Sequence, residues 1–179
     1  MRKLIVSSLV SLDGVNGDPQ SWASDYFDDQ AAEESLAVLL DSDAMLMGRR
    51  TYEYFAPAWS APSGPYLERI NEIRKYVFSS TLTAAAWNNS TVVPGDPAAA
   101  VAQLKQQGAG HLVVYGYGLL AQTLLEHGLV DELNLMIHPV MLGSGTTLFR
   151  PGKRTNLRLV SVTQHGNGVV ALSYTGLMI

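Results

Sequence analysis

The chain contains no cysteine. That absence removes disulfide frameworks and thiol nucleophiles together and suits a reducing compartment, so a cytoplasmic location is the expectation. Basic residues are scarce too: 12 Lys and Arg stand against 16 Asp and Glu, for a formal net charge of -4. With no run of five like charges, the chain offers no basic patch, and nucleic acid is not an expected partner. The four histidines, His111, His127, His138 and His165, lack the close spacing of metal ligands, so no metal site is expected. No apolar stretch approaches the roughly 20 residues of a bilayer span, and a membrane is not an expected partner. The opening "MRKLIVSSLVSLDG" imitates a signal peptide. Serines interrupt it, no small-residue cleavage site follows, and Asp13-Gly14 with Asn16-Gly17 reads as turn chemistry after a first strand. Hydrolase elbows are missing as well, and "PGKRT" lacks both the upstream glycine and the Ser or Thr beside lysine of a P-loop.

What is present is a chain of 179 residues, 47% hydrophobic and 16% charged, enough for one domain over 1–179 with a sizeable core. Asp28 to Leu40 sets Ala31, Leu36, Leu39 and Leu40 among acids at helical spacing, and "AMLMG" follows as a short apolar strand ending at Gly48. "RRTYEYFAPAW" restarts as a helix that Pro57 and the Ser60–Pro65 stretch terminate; "KYVFSS" is the next strand. In "GDPAAAVAQLKQQG", Asp96 is a cap, Pro97 fits the first helical position and Gly108 ends the helix. "VVYGYGLLAQTLLEHGLVDEL" then runs from a buried strand through two glycines around a tyrosine into another helix. After it the pattern changes: "ELNLMIHPV", "NLRLVSVTQ" and "VVALSYTGLMI" are strands without intervening helices, the last two joined around "HGNG". The expected fold is α/β in three layers, with a mixed central sheet that is parallel early and ends in an antiparallel C-terminal hairpin.

Three strand ends carry chemistry. A glycine turn between strand and helix lets backbone approach a ligand while the helix start attracts phosphate. Gly116, Tyr117, Gly118 and the amides of Leu119 and Leu120 form one such turn. "GYGLLA" fits the dinucleotide pattern of glycines, although His138 stands where a ribose-binding acid would follow. The alternative is a glycine that merely avoids a clash. "MLMGRRTYE" repeats the arrangement, with Gly48 ending a strand and Arg49, Arg50 and Thr51 opening a helix. Cations there oppose the helix dipole by a few tenths to about 1 kcal/mol, which points either to a bound anion or to a solvated pair. "VFSSTL" brings Ser79 and Ser80, hydroxyls suited to phosphate or ribose, or an ordinary strand end.

These segments, with "SLDG" before them and "GLLAQTLLEHGLVDELNLMIHPVMLGSG" at 118–145, resemble the dihydrofolate reductase-like superfamily. More narrowly, nearly the whole chain is similar to the RibD C-terminal domain family, the reductase half of bacterial riboflavin-biosynthesis enzymes. The resemblance implies an NADPH-dependent reductase acting on a small heterocyclic or carbonyl substrate, with a nucleotide-binding protein without turnover, or a dihydrofolate reductase, as alternatives. It implies that Gly48, Arg49, Arg50 and Thr51 hold the adenosine 2'-phosphate and pyrophosphate, with Ser79 and Ser80 beside the adenosine. Gly116 to Leu120 meet the pyrophosphate and nicotinamide ribose. Val6, Ser7, Val10, Ser11, Asp13 and Gly17 approach the nicotinamide, Ser7 also facing substrate, and "GSGTTLF" at 143–149 closes over them. It also implies a homodimer. Asp13 is the candidate proton handler, against the alternative of a turn aspartate bonding backbone. Trp22, Tyr26 and Tyr52 are candidate pocket residues or core. The chain departs from the superfamily at Tyr117, which replaces a second adjacent glycine. It departs again at Ala32, which stands where a pterin-gripping carboxylate would, beside Glu33 and Glu34. With no evident folate-binding arginine either, folate is not the expected substrate.

Overall fold

A computed structural model describes residues 2–61, 63–148 and 154–178. The first half alternates: β1 (Leu4–Ser11), two short 3-10 turns (Pro19–Ser21 and Ser24–Tyr26), α1 (Asp29–Leu40), β2 (Ser42–Gly48), α2 (Arg49–Trp59), α3 (Gly64–Glu72), β3 (Arg74–Phe78) and β4 (Ser90–Val93). The second half is α4 (Pro97–Leu104), β5 (His111–Tyr115), α5 (Leu119–Glu126), β6 (Glu132–His138), β7 (Asn156–Gln164) and β8 (Val170–Met178).

The strands form one sheet in the order β4-β3-β2-β5-β1-β6-β8-β7. Every pairing from β4 to β6 is parallel, and β8 runs antiparallel to both β6 and β7. This is the three-layer α/β fold with a mixed sheet and a C-terminal hairpin. The central parallel strands β1, β2 and β5 are buried on both faces, as their continuous apolar runs require. On one face Leu4, Val6, Leu46, Leu112 and Val114 pack on Val101 of α4 and on Ala121 and Leu124 of α5. On the other, Met45, Met47, Val77 and Val113 pack on Leu39 of α1, Tyr52 of α2 and Ile70 of α3.

Local chemistry sets the element ends. Asp28 caps α1, accepting from Ala31 N at 2.9 Å, and Asp96 caps α4 through Ala98 N at 2.9 Å, with Pro97 at its first position. α4 closes earlier than Gly108, because the Arg2 guanidinium takes the carbonyls of Leu104 and Gln107 and pairs with Asp43. Helix α2 continues two residues past Pro57, to Trp59; in the last turn the missing proline N–H costs one bond rather than a whole helix. Two elements have no counterpart in the sequence reading. α3 begins at a Gly-Pro pair that reads as a breaker, and β4 is a four-residue edge strand without a buried alternation.

Candidate active site

The sheet register brings the sequence-derived glycine turns together. Gly48 pairs with Phe78, Leu46 with Val114, and Ser7 with Tyr115. The ends of β3, β2 and β5 and the middle of β1 therefore lie side by side, strands about 4.8 Å apart. Gly48 is the N-cap of α2 and Gly118 that of α5; neither helix start has a side-chain cap, so their first amides face outward. A Cβ added at Gly48, Gly116 or Gly118 would meet nothing within 4 Å. Gly116 alone of the three has positive φ, 85°. Two unblocked helix starts on adjoining strands suit an extended anion.

The two arginines differ in employment. Arg49 donates through Nε to Glu53 Oε1 at 2.7 Å and through Nη1 to Thr81 Oγ1 at 2.8 Å. Its guanidinium thereby bridges the start of α2 and the turn after β3. Among the described residues Arg50, which is exposed, forms no hydrogen bond or ion pair. Thr51 follows half-buried in the first turn. Ser79 Oγ accepts from the amides of Thr81 and Leu82 at 3.2 and 2.9 Å, closing its own turn, while Ser80 is exposed. Leu119 is 69% exposed, whereas Leu120 and Tyr117 pack on the core.

Beside these turns opens a cleft of about 650 Å³ between the sheet, α2, α3 and the 19–27 segment. Ser7 and Gly116 line it, joined by an aromatic wall of Phe27, Phe55, Trp59, Tyr66 and Tyr115. Phe55 and Trp59 stack with centroids 3.9 Å apart and planes 8° apart, and Trp59 meets Tyr66 and Tyr115 edge-on. Every described residue lining the cleft is uncharged. Burial pushes the Tyr66 phenol up to about 12 and holds Tyr115, which also faces Tyr66, well above the ordinary tyrosine value. Both phenols are neutral donors at physiological pH. The whole of this wall escaped the sequence reading; the four-residue spacing of Phe55 and Trp59 on α2 was the available signal.

Several candidates stand elsewhere. Tyr52 is 7% exposed, its hydroxyl accepting from Trp87 N at 3.1 Å inside the α1–α3 layer, so it supports the core rather than the cleft. Trp22 turns away from the cleft, donating to Gly17 O at 3.0 Å and packing edge-on against buried His138, as Tyr26 does. Burial holds the His138 imidazole below its ordinary value, hence neutral. Val10 is 2% exposed with its side chain in the core, leaving only backbone to meet a ligand.

Asp13 does not line the cleft. Its Oδ1 accepts from Ser11 Oγ at 2.5 Å, and its Oδ2 accepts from the amides of Leu142 and Gly143 at 3.1 and 2.7 Å. The Ser11 hydroxyl, then those two amides, hold its carboxyl down to about 2. It is thus an ionised hook without a proton to give. The hook belongs to a zipper between segments 12–17 and 140–148, in which Leu12 bonds Val140, Asn16 and Gly17 bond Thr146, and Leu148 bonds Gly14. Phe149, at the end of "GSGTTLF", lies outside the described residues.

Comparison with known proteins bears on the family and the fold. Residues 2–171 match the family model described as the RibD C-terminal domain. An uncharacterized protein of Bacillus subtilis strain 168, YyaP, is 30% identical over 190 residues, covering 97% of this chain and 94% of its own. The crystal structure of a putative riboflavin biosynthesis protein from Shewanella sp. PV-4 superposes with a TM-score of 0.76 at 20% identity, covering 98% of both chains. The Thermotoga maritima diaminohydroxyphosphoribosylaminopyrimidine deaminase/5-amino-6-(5-phosphoribosylamino)uracil reductase gives a TM-score of 0.64 at 16% identity, covering 97% of this chain and 56% of that one. The last two likenesses speak to fold.

Proposed function

Because the chain belongs to the RibD C-terminal domain family, we propose that it is an NADPH-dependent oxidoreductase that reduces a small, flat heterocyclic or carbonyl compound. The observation that carries this reading is the pair of open glycine-led helix starts, Gly48 before α2 and Gly118 before α5, beside an uncharged aromatic slot. The residues present fit a dinucleotide. Arg49, Arg50 and Thr51 would receive a 2'-phosphate, with Ser79 and Ser80 beside the adenosine. The backbone of Gly116 to Leu120 would lie along the pyrophosphate and ribose.

NADPH when bound supplies hydride to an electrophilic carbon; the protein supplies placement. The aromatic wall holds a ring flat, and Ser7, at the floor of the slot, bonds its edge. No carboxylate or cation among the described lining residues protonates the substrate, so the proton comes from water or a hydroxyl held there. In this reading Asp13 is a positioning residue that keeps segment 140–146 folded over the site. Folate is disfavoured for the same reason: Ala32 fills the carboxylate position, Glu33 is exposed and Glu34 is tied to His165 at 3.1 Å.

The unit that functions is the single domain 1–179, cytoplasmic and homodimeric. All nine residues of edge strand β7 are exposed, and Leu157, Leu159, Val160 and Val162 among them are 43–59% exposed. An open apolar edge of this kind is covered in stable proteins. Light scattering at micromolar concentration that returned only the 19.4 kDa of one chain would refute the dimer.

The test of the reaction is stoichiometric NADPH oxidation against pterins, pyrimidines and quinones, with dihydrofolate expected to turn over below about 1 per second. Tight NADPH binding without oxidation across that range would instead favour a nucleotide-binding protein of this fold.

A further inference from the structure

Lys75, the second residue of β3, is 0% exposed and lines no part of the aromatic slot. Among the described residues no carboxylate pairs with it. Its ammonium donates instead to three backbone carbonyls, Ile73 O at 2.9 Å, Asn88 O at 3.0 Å and Asn71 O at 3.3 Å, and stands 4.7 Å from the centre of the Trp87 ring. Three N–H groups thus meet three acceptors against an aromatic face, and none of these partners titrates. A buried charge without a counter-charge is expensive, and burial holds this ammonium down to about 8. Methionine, of similar length, would fill the space without desolvating a charge, so packing alone does not account for lysine there.

What the ammonium holds is the connection between β3 and β4. Asn71 and Ile73 stand at the end of α3, whereas Asn88 lies near the far end of residues 79–89. Trp87 beside it is 4% exposed; its backbone N donates to the Tyr52 hydroxyl at 3.1 Å, and its Nε1 donates to Asn71 Oδ1 at 2.8 Å. Tyr52 lies in the opening turn of α2, close after Arg49. The near end of the connection is fixed separately, by the turn of Ser79 and by Thr81, which accepts from Arg49. Both ends of 79–88 are therefore set against the start of α2, one through Arg49 and the other through Lys75, Trp87 and Tyr52.

Building on the cofactor reading, we propose that Lys75 is a positioning residue for the adenosine half of NADPH. Its buried ammonium holds the 79–88 connection in the place beside α2 that the adenosine and its 2'-phosphate require. It touches no ligand and acts through Trp87 and Asn88.

Adenosine 2',5'-bisphosphate, which carries that half alone, and NADPH are titrated calorimetrically. Lys75→Met should weaken both about tenfold. Val101→Ala, a cavity in the core on the opposite face of the sheet, lowers Tm and should leave both affinities within about twofold. Tyr52→Phe cuts the one bond from Trp87 to α2 without emptying space; it should weaken the bisphosphate about threefold and decides the matter should Lys75→Met misfold. Between about pH 7 and 9.5 the 2'-phosphate stays ionised, while Lys75 becomes an amine with two N–H groups for three carbonyls. Wild-type affinity should fall over that range and the affinity of Lys75→Met should not. Stability moves the other way: a lysine lowered on folding from 10.5 to about 8 costs stability below its folded value, and the cost disappears as pH rises toward the unfolded one. Wild-type Tm should therefore rise relative to Lys75→Met while affinity falls, an opposition that a purely structural lysine would not produce. Unchanged affinity in Lys75→Met, an equal loss in Val101→Ala, or affinity that follows Tm across the pH range would each overturn the proposal and leave the cofactor reading standing. Failure of the wild type to bind either probe would sink the cofactor reading, and the proposal with it.

Discussion

At Gly48, Gly116 and Gly118 an added methyl group would meet no atom within 4 Å, whereas at Gly17 it would come within 2.9 Å of Thr146 Cβ and at Gly145 within 2.7 Å of Val15 Cγ1. The first three line the carboxyl ends of β2 and β5; the other two belong to the zipper beside them, whose Asn16 donates from Nδ2 to Tyr117 O at 3.1 Å. One residue type thus answers two requirements. In the zipper, glycine lets two segments of this chain touch. At the strand ends no described residue uses the space, and at Gly48 and Gly118, with φ of -80° and -93°, backbone conformation does not demand glycine either. The space there is open, as it also is at Gly64, Gly95, Gly128 and Gly143; in the nucleotide reading proposed above a ligand's backbone would use it.

Gly145→Ala probes the packed side and carries the largest expected effect. The substitution combines the collision with Val15 and a φ of 127°, a region L-residues rarely enter. Together these cost about 3 kcal/mol, lowering Tm by roughly 6–12 °C for a chain of this size. Adding Val15→Ala should return the collision share and leave the backbone share. A single-variant Tm within about 2 °C of wild type would remove the packing half of the contrast.

Arg49→Ala addresses the open side. The tether through Glu53 and Thr81 holds its guanidinium between α2 and the turn after β3, where a 2'-phosphate fits the reading. A charge-assisted contact of roughly 1.5 to 3 kcal/mol makes NADPH bind about ten- to a hundredfold more weakly in the variant, with NADH little changed. Arg50→Ala, removing an unpaired neighbouring charge, should cost less. Fluorescence titration of both cofactors decides it: matching losses for NADPH and NADH would rule the assignment out. Gly118→Ala is the subtler probe of the same side. Stability should move by less than about 1 kcal/mol, since the backbone there accepts alanine. NADPH affinity should fall by about fivefold, because the methyl occupies the approach to the helix amides. Unchanged affinity would leave the open glycines unexplained.

How far these roles were legible in the sequence follows the same division. Parallel strands announced themselves through apolar runs such as "HLVVY", and α4 through Asp96 and Pro97, because those signals act within a few residues. The glycine turns were legible for the same reason. The aromatic slot was not, because Phe27, Phe55, Tyr66 and Tyr115 meet only through the packing of the 19–27 segment, α2, α3 and β5, and no local pattern encodes that meeting. Tyr52 misled because a tyrosine on α2 faces either neighbour, and here its hydroxyl answers Trp87 N in the core layer. Asp13 was legible as turn chemistry, yet its partners Leu142 and Gly143 lie far along the chain. Only the fold shows that the turn aspartate anchors a second segment.

That anchor supplies the smallest and most pH-specific effect. The Asp13 carboxyl sits at about 2 against an ordinary 3.8, chiefly through the Ser11 hydroxyl and then the amides of Gly143 and Leu142. A group depressed on folding contributes stability that is present above its unfolded value and lost as pH falls through its folded one. The window is therefore about pH 4 down to pH 2. Above it, Asp13→Asn should lower Tm slightly, since an amide oxygen accepts from the two backbone N–H groups less strongly than a carboxylate. Across the window the wild-type Tm should converge on that of the variant, because a protonated Asp13 is as neutral as asparagine. Pepsin, active over this range, should begin to cut within 139–146 of the wild type as the hook releases, and should cut the variant there already at pH 4. On the open side Glu53 pairs with Arg49 beside Gly48, whereas none of the described hydrogen bonds or ion pairs ties Gly118 to a carboxylate, so cleavage near Gly118 should not follow the same curve. Parallel cleavage curves at the two sides would mean that the whole molecule unfolds at once and that the zipper is not a separate device. A Tm difference constant from pH 5 to pH 2 would show that Asp13 acts through its shape and not its charge.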